Sequence, residues 1–420
     1  VGGSSAPGAA WAAQPPTTAR AVTIASRAAT PVGVFRGAFT TMSIKKVYNT
    51  FMTTPRTYPR AFSRSLLALA VSLLALMVGL LTWVPSAQAA GSLPKLPTAP
   101  TVRIGFFANL THAPALVAQN QRLFETFLGK DGTKVEYILF NAGPAAIEAM
   151  KGGAVDMAFI GPSPAISGYA TTGGTLLRVV SGVTSGGAQL VVKGSIRTAA
   201  DLKGKKLTTP QLGNTQDVAL RSWLKSKGYA TSTTGAGDVQ IFPTENSTTM
   251  QLFRRGDIDG AWLPEPWASR LVQEAGGHVL VDERDLWPRG QFVTTNLIAS
   301  QKFLNSYPGT VRSVIQATSA AIAYIKAKPL DARQVSQKAI EKWTGKPLPA
   351  AAVQRAWGNM AFTDDPLAST LARNAQDAVD VGLLTLKPGG LSGIYDLRLL
   401  NSVLKSAGKP AVSAGGLGLQ

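Results

Sequence analysis

The segment from Lys151 to Pro164, KGGAVDMAFIGPSP, constrains the fold of this chain more than any other stretch. Along the chain, its residues are typical of a helix end, a glycine turn, a short apolar strand and a loop. A strand that is apolar on both faces, with Asp156 as its exception, is typical of a parallel sheet covered by helices on both sides. We therefore predict an α/β fold built around this strand.

A second segment repeats the pattern of the first. In RGDIDGAWLP, Arg255 to Pro264, the residues Gly256, Asp259, Ala261 and Trp262 each lie 103 positions after a residue of the same or a similar type in the first segment. Two lobes built on one plan would produce such a repeat. Since ligands bind beyond the carboxyl ends of parallel strands, we expect the loops that follow the two repeated strands to border one cleft from opposite lobes.

Strand and helix patterns alternate throughout residues 101–290, which predicts mainly parallel sheets with flanking helices. We expect residues 101–191 to form the first part of lobe one and residues 192–290 to form lobe two. Residues 291–420 should return to lobe one as a strand followed by helices that pack against it. From residue 301 onward the pattern is almost wholly helical, so we expect no further strand there and place the ligand chemistry earlier in the chain.

Residues 1–55 are rich in Ala, Thr, Gly and Pro and show no sustained apolar period, which predicts an unstructured leader. An alternative is that translation starts later than this sequence implies, because Met42 and Met52 lie just ahead of a targeting signal. Under both interpretations we expect this segment to contribute nothing to the folded core.

Residues 56–89 have the three parts of a secretory signal peptide: arginines, an apolar run from Leu66 to Val84, and a small-residue series that ends at Ala89. We predict export and cleavage after Ala89. The apolar run is 19 residues long, close to the ~20 residues that span a bilayer, so an uncleaved anchor is the alternative. The Pro-rich residues 90–100 are predicted to be a linker.

Composition narrows the classes of function. The chain has no cysteine and two histidines, which excludes disulfides, thiolate metal sites and cysteine nucleophiles and leaves little scope for a histidine metal site. The formal charge of +19 is unevenly divided, because residues 1–89 hold eight basic and no acidic side chains while the rest of the chain carries +11. That excess favours an anionic partner.

Familiar catalytic motifs are absent from the sequence. It has no G-x-S-x-G, no H-E-x-x-H, no Walker A motif, and no G-x-G-x-x-G that opens a helix after a strand. The basic runs around Lys203 and Arg254 have no interleaved aromatic residues, so we do not expect nucleic-acid binding. These observations favour a binding protein, without cofactor or metal, over an enzyme.

The best candidate anion site is the start of a predicted helix, where Asn214, Thr215 and Gln216 follow a glycine. Free backbone N–H groups and the positive end of the helix dipole favour an anion there. A capping role for Asn214 or Thr215 is the alternative, and the sequence leaves both open. Ser163 is likewise either an N-cap or a donor to ligand oxygens, and His112 is either a turn residue or a contact.

Further positions also have two interpretations each. Gln189 follows a glycine-rich segment that is either a crossover between lobes or a ligand loop. Glu265 either pairs with an amine of a zwitterionic ligand or compensates a helix dipole. Trp262 and Trp267 fit the core better than a ligand platform.

Several segments together resemble the periplasmic solute-binding proteins of ABC importers for alkanesulfonates, taurine and nitrate, which are similar to the binders of thiamine pyrimidine precursors. The resemblance covers residues 101 to about 330 and rests on the order and spacing of its pieces. Those pieces are RIGFF, FNAGPAAIEAMKGGAVDMAFIGPSPAI, AADLKGKKL, LGNTQDVALRSWLKSKG and LFRRGDIDGAWLPEPWASRL. Many sulfonate binders have an acidic residue where this chain has Gly161-Pro162-Ser163, which leaves the solute open.

The resemblance implies a two-lobed, type 2 periplasmic binding protein that is monomeric, holds a small anionic solute in its cleft and presents it to an ABC permease. An aliphatic sulfonate or taurine-like compound is the expected solute. Nitrate, bicarbonate or a pyrimidine precursor is the alternative, and a membrane-tethered sensor or an enzyme on the same scaffold is a more distant one. The ligand contacts that the resemblance implies are Ser163, Asn214, Thr215, Gln216, Asn109, His112, Gln189 and Glu265.

Overall fold

The computed structural model describes residues 96–420. The predicted leader, the predicted signal peptide and residues 90–95 of the predicted linker lie outside this part. Two sheets, of eight and five strands, organise the described residues, and we call the structure around the eight-stranded sheet lobe one and that around the five-stranded sheet lobe two. Within residues 96–420, none of the helices combines the length and the hydropathy that a bilayer span requires.

The first run of elements alternates between strand and helix and begins lobe one. Its members are β1 (Thr101–Phe107), α1 (Ala113–Asn120), α2 (Leu123–Leu128), β2 (Lys134–Phe140), α3 (Gly143–Lys151), β3 (Met157–Ile160), α4 (Pro162–Thr171) and β4 (Leu177–Gly186). Proline lies in the first turn of α1, α3 and α4. The lack of an N–H group costs nothing there, because a backbone N–H in the first turn has no intrahelical carbonyl as its partner. All four residues of β3 are buried, as the apolar pattern predicts.

The second run builds lobe two. Its members are β5 (Ala188–Val192), β6 (Lys206–Thr208), α5 (Thr215–Ser226), β7 (Gln240–Ile241), α6 (Asn246–Arg255), β8 (Gly260–Pro264), α7 (Trp267–Ala275) and β9 (His278–Asp282). Gly187 alone separates β4 from β5, and its φ of +81° is a left-handed conformation that favours glycine. The chain therefore enters the second sheet at Ala188, a few residues before the position predicted from the sequence.

The third run returns to lobe one. Its members are β10 (Val293–Ser300), α8 (Gln301–Ser306), α9 (Pro308–Ala327), α10 (Pro329–Thr344), α11 (Ala350–Trp357), β11 (Met360–Phe362), α12 (Ala368–Asp380), β12 (Tyr395–Asp396), α13 (Arg398–Ser406) and β13 (Gly418–Leu419). Helices α9 and α10 pack against α1 and α2, so the helical tail covers lobe one as predicted.

Both sheets are mixed. In lobe one the strand order is β13-β12-β4-β10-β3-β1-β2, and β11 pairs with β4. Strand β1 is parallel to β2 and β3, as the alternating pattern predicts, whereas the returning strand β10 is antiparallel to β3 and β4. Lobe two has the order β7-β6-β8-β5-β9, in which β6 is parallel to both neighbours and β5 is antiparallel to both of its own.

The two lobes share one plan, as the repeat of 103 residues predicts. Asp156 Oδ2 accepts a hydrogen bond from the backbone N–H of Arg103 at 2.8 Å, and Asp259 Oδ2 accepts one from the backbone N–H of Lys206 at 2.9 Å. The two donor residues are 103 positions apart in the sequence, and so are the two acceptor residues. The pairing of β6 with β8 also repeats the register of β1 with β3 at that offset.

Two details of the fold differ from the sequence pattern. The sequence from Pro114 to Phe127 has the pattern of a single helix, but the structure divides it into α1 and α2 at Arg122, whose φ of +54° cannot belong to a right-handed helix. The tail also supplies β11, β12 and β13, although no strand was predicted after residue 301. Strands of two or three residues are too short for a periodic pattern, and the open edge of the sheet decides where they form.

The tail also reaches lobe two, a contact that the sequence does not predict. Ser222 Oγ on α5 donates to Asp377 Oδ1 on α12 at 3.0 Å. Arg355 Nη1 on α11 donates to Ser269 Oγ on α7 at 2.8 Å. Helices α11 and α12 therefore hold the two lobes together at two separate places.

Candidate functional site

The loops at the carboxyl ends of strands from both lobes enclose a small cavity, which we call the inner chamber. Its volume is about 20 Å³. Its lining comes from the loops after β1, β2 and β6, the starts of α4, α5 and α6, the end of β8 and the start of β10. The lining residues are Phe107, Asn109, Thr111, His112, Asn141, Gly161, Pro210, Asn214, Thr215, Gln216, Asn246, Pro264 and Thr294.

Two residues related by the internal repeat both line this chamber. Gly161 ends the β3 strand region of lobe one, and Pro264, 103 positions later, ends β8 of lobe two. Both line the inner chamber, as the repeat predicts. A Cβ atom at Gly161 would lie 2.3 Å from Oγ1 of Thr215, so a glycine is needed for this approach of the lobes.

The start of α5 forms the lobe-two wall. Asn214 is the N-cap residue, but its side chain makes no capping hydrogen bond, and its Nδ2 instead donates to Oε1 of Gln216 at 3.3 Å. The hydroxyl of Thr215 is buried and has no hydrogen-bond partner. Neither residue therefore acts as a side-chain cap. The N–H groups of Asp217 and Val218 donate to the carbonyl of Asn214, whereas those of Thr215 and Gln216 precede the first bond of the helix.

The carboxylate of Asp217 holds the start of α5 in place through hydrogen bonds. It accepts from the backbone N–H of Gly213 at 2.9 Å and from Oγ1 of Thr209 at 2.9 Å. Arg221 Nε lies 3.0 Å from Asp217 Oδ1, and both side chains are fully buried. Because the guanidinium neutralises the carboxylate, the dipole of α5 still favours an anion at its N-terminus.

His112 presents a neutral imidazole to the chamber. Burial lowers its pKa to about 3. Its Nδ1 accepts from the backbone N–H of Phe107 at 3.3 Å, and the two rings lie 4.4 Å apart. The proton of the neutral ring is therefore on Nε2, which is a hydrogen-bond donor.

Ser163 lies in the first turn of α4 and does not itself line the inner chamber. The N-cap of α4 is Gly161, so Ser163 is not the cap. Its hydroxyl is buried without a hydrogen-bond partner, and the same is true of Oδ1 of Asn246, which does line the chamber. Buried polar atoms without partners are uncommon, which makes these two atoms candidate ligand contacts.

Asn109 connects the lobes at the edge of the chamber. Its Oδ1 accepts from Nε1 of Trp267 at 2.9 Å. Asn141 in lobe one similarly donates through Nδ2 to Oε1 of Glu245 in lobe two at 2.7 Å. Trp267, for which the sequence favoured a core position, is only partly buried and lies beside the site.

The structure does not bring Gln189 or Glu265 to the chamber. Gln189 Nε2 donates to Oδ2 of Asp282 at 2.8 Å within lobe two. The Glu265 carboxylate accepts from Nδ2 of Asn359 at 2.7 Å and from the N–H and hydroxyl of Ser269 at 3.0 and 2.9 Å. Burial raises the pKa of Glu265, and these hydrogen bonds oppose that rise. Its side chain thus ties lobe two to the tail of lobe one.

Several lining residues were not selected from the sequence. Asn141 directly follows β2, and Asn246 opens the helix α6 that follows β7, so the rule that ligands bind beyond strand ends could have found them. Thr111 has the same signal, since its loop follows β1. Thr294 is inside β10 and has no local signal, because its exposure to the chamber depends on where the strand returns from lobe two.

The two lobes and their topology define the class of this protein by its fold, which is that of the periplasmic binding proteins. Solved structures with this fold include the alkanesulfonate-binding protein SsuA from Xanthomonas axonopodis pv. citri bound to MOPS. It is 22% identical to this chain with a TM-score of 0.57, and the match covers 69% of this chain and 95% of that one. The periplasmic nitrate-binding protein NrtA from Synechocystis has 15% identity, a TM-score of 0.59, and coverage of 70% and 85%.

The chain belongs to the NMT1-like family, whose model matches residues 95–341. A candidate binding protein of Brucella abortus is 25% identical over 260 residues, which are 61% of this chain and 75% of that protein. The taurine-binding periplasmic protein of Escherichia coli is 26% identical over 200 residues, which are 48% of this chain and 59% of that protein.

Proposed function

We propose that this chain is the exported solute-binding component of an ABC importer and that it captures a small organosulfonate or taurine-like anion between its lobes. The observation that carries the proposal is the convergence of uncharged hydrogen-bonding groups from both lobes at the start of α5. The hydroxyl of Thr215, which is buried without a partner, can donate to an anion, whereas Oδ1 of Asn246, also without a partner, accepts only and suits the ammonium group of a taurine-like compound. Relatives named for taurine and for aliphatic sulfonates support the ligand class.

The chemistry of the chamber suits an anion that is always ionised. A sulfonate keeps its charge at physiological pH, so a helix N-terminus and neutral donors hold it without proton transfer. The Nε2–H of His112 and the amides of Asn109 and Gln216 are donors of this kind. Among the residues that line the inner chamber none has a charged side chain, since the His112 ring is neutral, and this favours reversible capture.

Capture requires the lobes to move. The inner chamber of about 20 Å³ has room for about one water molecule, and a sulfonate group is larger. We propose a hinge at Gly186 and Gly187, whose φ values are +75° and +81°, together with the return segment before β10. Contacts made by both lobes with one solute would supply the energy of closure. In this proposal the protein acts as a monomer, delivers its solute to a permease and catalyses no reaction.

Isothermal titration calorimetry of the purified chain tests the ligand class. The panel contains methanesulfonate, taurine, a sulfate ester, nitrate, bicarbonate and a pyrimidine. We expect at least one sulfonate to bind and the pyrimidine to give no heat. Binding of nitrate or bicarbonate without any sulfonate, or of the pyrimidine alone, would overturn the proposed class.

The substitution Thr215→Val tests the place of binding, because it removes the buried hydroxyl and keeps the shape of the side chain. A hydrogen bond to a charged group contributes about 1.5–3 kcal/mol, so affinity for the sulfonate should fall about 10- to 150-fold. The matched control is Thr126→Val, an exposed threonine on α2, which should bind as the wild type does. An unchanged affinity in Thr215→Val would refute a site at the start of α5.

A further inference from the structure

Residues 358–360 of the tail lie against both connections between the lobes. At the first connection Met360 pairs with Gly186, and a Cβ atom at Gly186 would lie 2.6 Å from the carbonyl oxygen of Asn359. At the second connection, between β9 and β10, Arg284 Nη2 donates to Oδ1 of Asn359 at 3.1 Å. Asn359 is therefore in contact with both segments through which the chain passes between the lobes.

The other end of the Asn359 amide reaches the residue that follows β8. Asn359 Nδ2 donates to Oε1 of Glu265 at 2.7 Å. The carbonyl oxygen of Glu265 accepts from the backbone N–H groups of Leu110 and Thr111 in lobe one, at 3.1 and 3.4 Å. Thr111 lines the inner chamber, and so does Pro264, which directly precedes Glu265. Glu265 thus bonds to lobe one through its main chain and to the tail through its side chain, next to the solute site.

The carboxylate of Glu265 is surrounded by donors and has no exposed surface. Besides Asn359, the N–H and hydroxyl of Ser269 donate to it. The hydrogen bond from Asn141 to Glu245 also joins the lobes, but it is exposed, so water can replace it as the lobes separate. Water reaches the carboxylate of Glu265 only after its surroundings have moved apart. The bond from Asn359 therefore opposes opening more strongly than a bond at the surface does.

We propose that Asn359 is a positioning residue that locks the hinge and sets how readily the lobes open. Asn359, Glu265 and Arg284 together form this hinge lock. Opening about Gly186 and Gly187 moves Glu265 relative to the tail, so the bond from Asn359 has to break. The inference rests on the proposed function, because it assumes that the lobes open to admit a solute. Asn359 lies beyond residue 341, where the match to the NMT1-like family model ends.

The reactivity of a buried thiol measures lobe opening in the absence of any solute. The chain has no cysteine, so Thr215→Cys introduces a single thiol at a residue that is 3% exposed and lines the inner chamber. Asn359→Leu keeps the approximate size of the side chain and removes both hydrogen bonds. The thiol should then react with DTNB about 5- to 150-fold faster, the range for a buried acceptor that loses its partner.

A matched control makes the same exchange away from the hinge. Asn120→Leu changes an exposed asparagine at the end of α1 and should leave the reaction rate of the Thr215→Cys thiol unchanged. An unchanged rate in Asn359→Leu, or an equal increase in Asn120→Leu, would overturn the hinge lock.

Two further variants separate a hinge effect from a general loss of stability. Ala321→Cys places the thiol in the core of lobe one, at a residue without exposed surface, and Asn359→Leu should not change its rate. Equal acceleration of the two thiols would contradict the inference. Combining Asn359→Asp with Glu265→Gln exchanges the carboxylate and the amide between the two positions. This pair should return the Thr215→Cys rate to within about twofold of its original value, and a rate as fast as in Asn359→Leu would also contradict the inference.

Solute release provides a separate measurement. With the tightest-binding sulfonate of the panel, the dissociation rate constant in Asn359→Leu should rise by the same factor as the thiol reactivity, because release requires the lobes to open. An unchanged dissociation rate would overturn the role of the hinge lock in release. Failure of every sulfonate to bind would refute the proposed function, and the thiol measurements would still decide whether Asn359 locks the hinge.

Discussion

Replacing Gly161 by alanine perturbs the site with one methyl group at the point where the lobes meet. The backbone of Gly161 has φ −69° and ψ 158°, which alanine adopts without strain. The new Cβ, however, would lie 2.3 Å from Thr215 Oγ1, whereas ordinary contacts begin at 3.4 Å. The lobes must therefore separate by about an ångström, or the Thr215 hydroxyl must turn away from its present position.

Both adjustments weaken solute binding. Overpacking by a methyl group costs about 1–3 kcal/mol, which corresponds to an affinity loss of about 5- to 150-fold. Calorimetry with the tightest-binding sulfonate of the panel measures this loss. Thermal unfolding without ligand should show little change, because each lobe keeps its own core. The matched control is Gly194→Ala, where the added Cβ meets nothing within 4 Å.

A second substitution shows whether the loss arises from this contact. In Gly161→Ala combined with Thr215→Ala the nearest atom of residue 215 is Cβ, at 3.4 Å, which is an ordinary contact. The double variant should therefore lose less binding free energy than the sum of the two single losses, by about 1 kcal/mol. Wild-type affinity in Gly161→Ala, or strictly additive losses in the pair, would refute the geometry of closure described above.

Two further predictions concern buried charges. Burial raises the pKa of Glu283 to about 7, although Trp262 and Trp287 donate hydrogen bonds to its carboxylate. The folded state therefore binds this proton more tightly than the unfolded state does. The free energy of unfolding then falls as the pH rises from about 4.5 to 7. Glu283→Gln should thus raise the free energy of unfolding by about 3 kcal/mol at pH 8 and by little at pH 4.5 in urea titrations, and equal effects at both pH values would contradict this. Asp217→Asn leaves the fully buried charge of Arg221 unpaired, so it should lower that free energy by about 3–5 kcal/mol, and a loss below about 1 kcal/mol would show that the pair is not needed.

The helix start at Asn214 and Thr215 shows how far the sequence leads toward a site. A glycine followed by short polar residues and an amphipathic run predicts a helix N-terminus there, and α5 begins at Thr215. The sequence could not choose between capping and ligand binding, because both roles use the same residue types. The structure argues against capping, since the cap bond is absent and the hydroxyl of Thr215 has no partner, and ligand binding at this helix start stays a prediction.

Gln189 and Glu265 show that a local pattern does not determine where a side chain lies. Both lie at the cleft ends of strands, where a contact with the ligand is a reasonable expectation. The direction of each side chain depends on partners far along the chain, however, because Glu265 bonds to Asn359 and Gln189 to Asp282. Separations of 94 and 93 residues leave no trace in a local pattern.

The repeat of 103 residues was sufficient to predict two lobes of one plan, with the loops after the repeated strands at a common cleft. The sequence could predict this because the patterns that specify helices, strands and turns act over short stretches of chain. Which atoms meet in that cleft depended on the tertiary structure. The approach of Gly161 to Thr215 and the hydrogen bond from Trp267 to Asn109 join parts of the chain that are distant in sequence. Such contacts follow from the relative placement of whole elements, and residue type alone does not encode that placement.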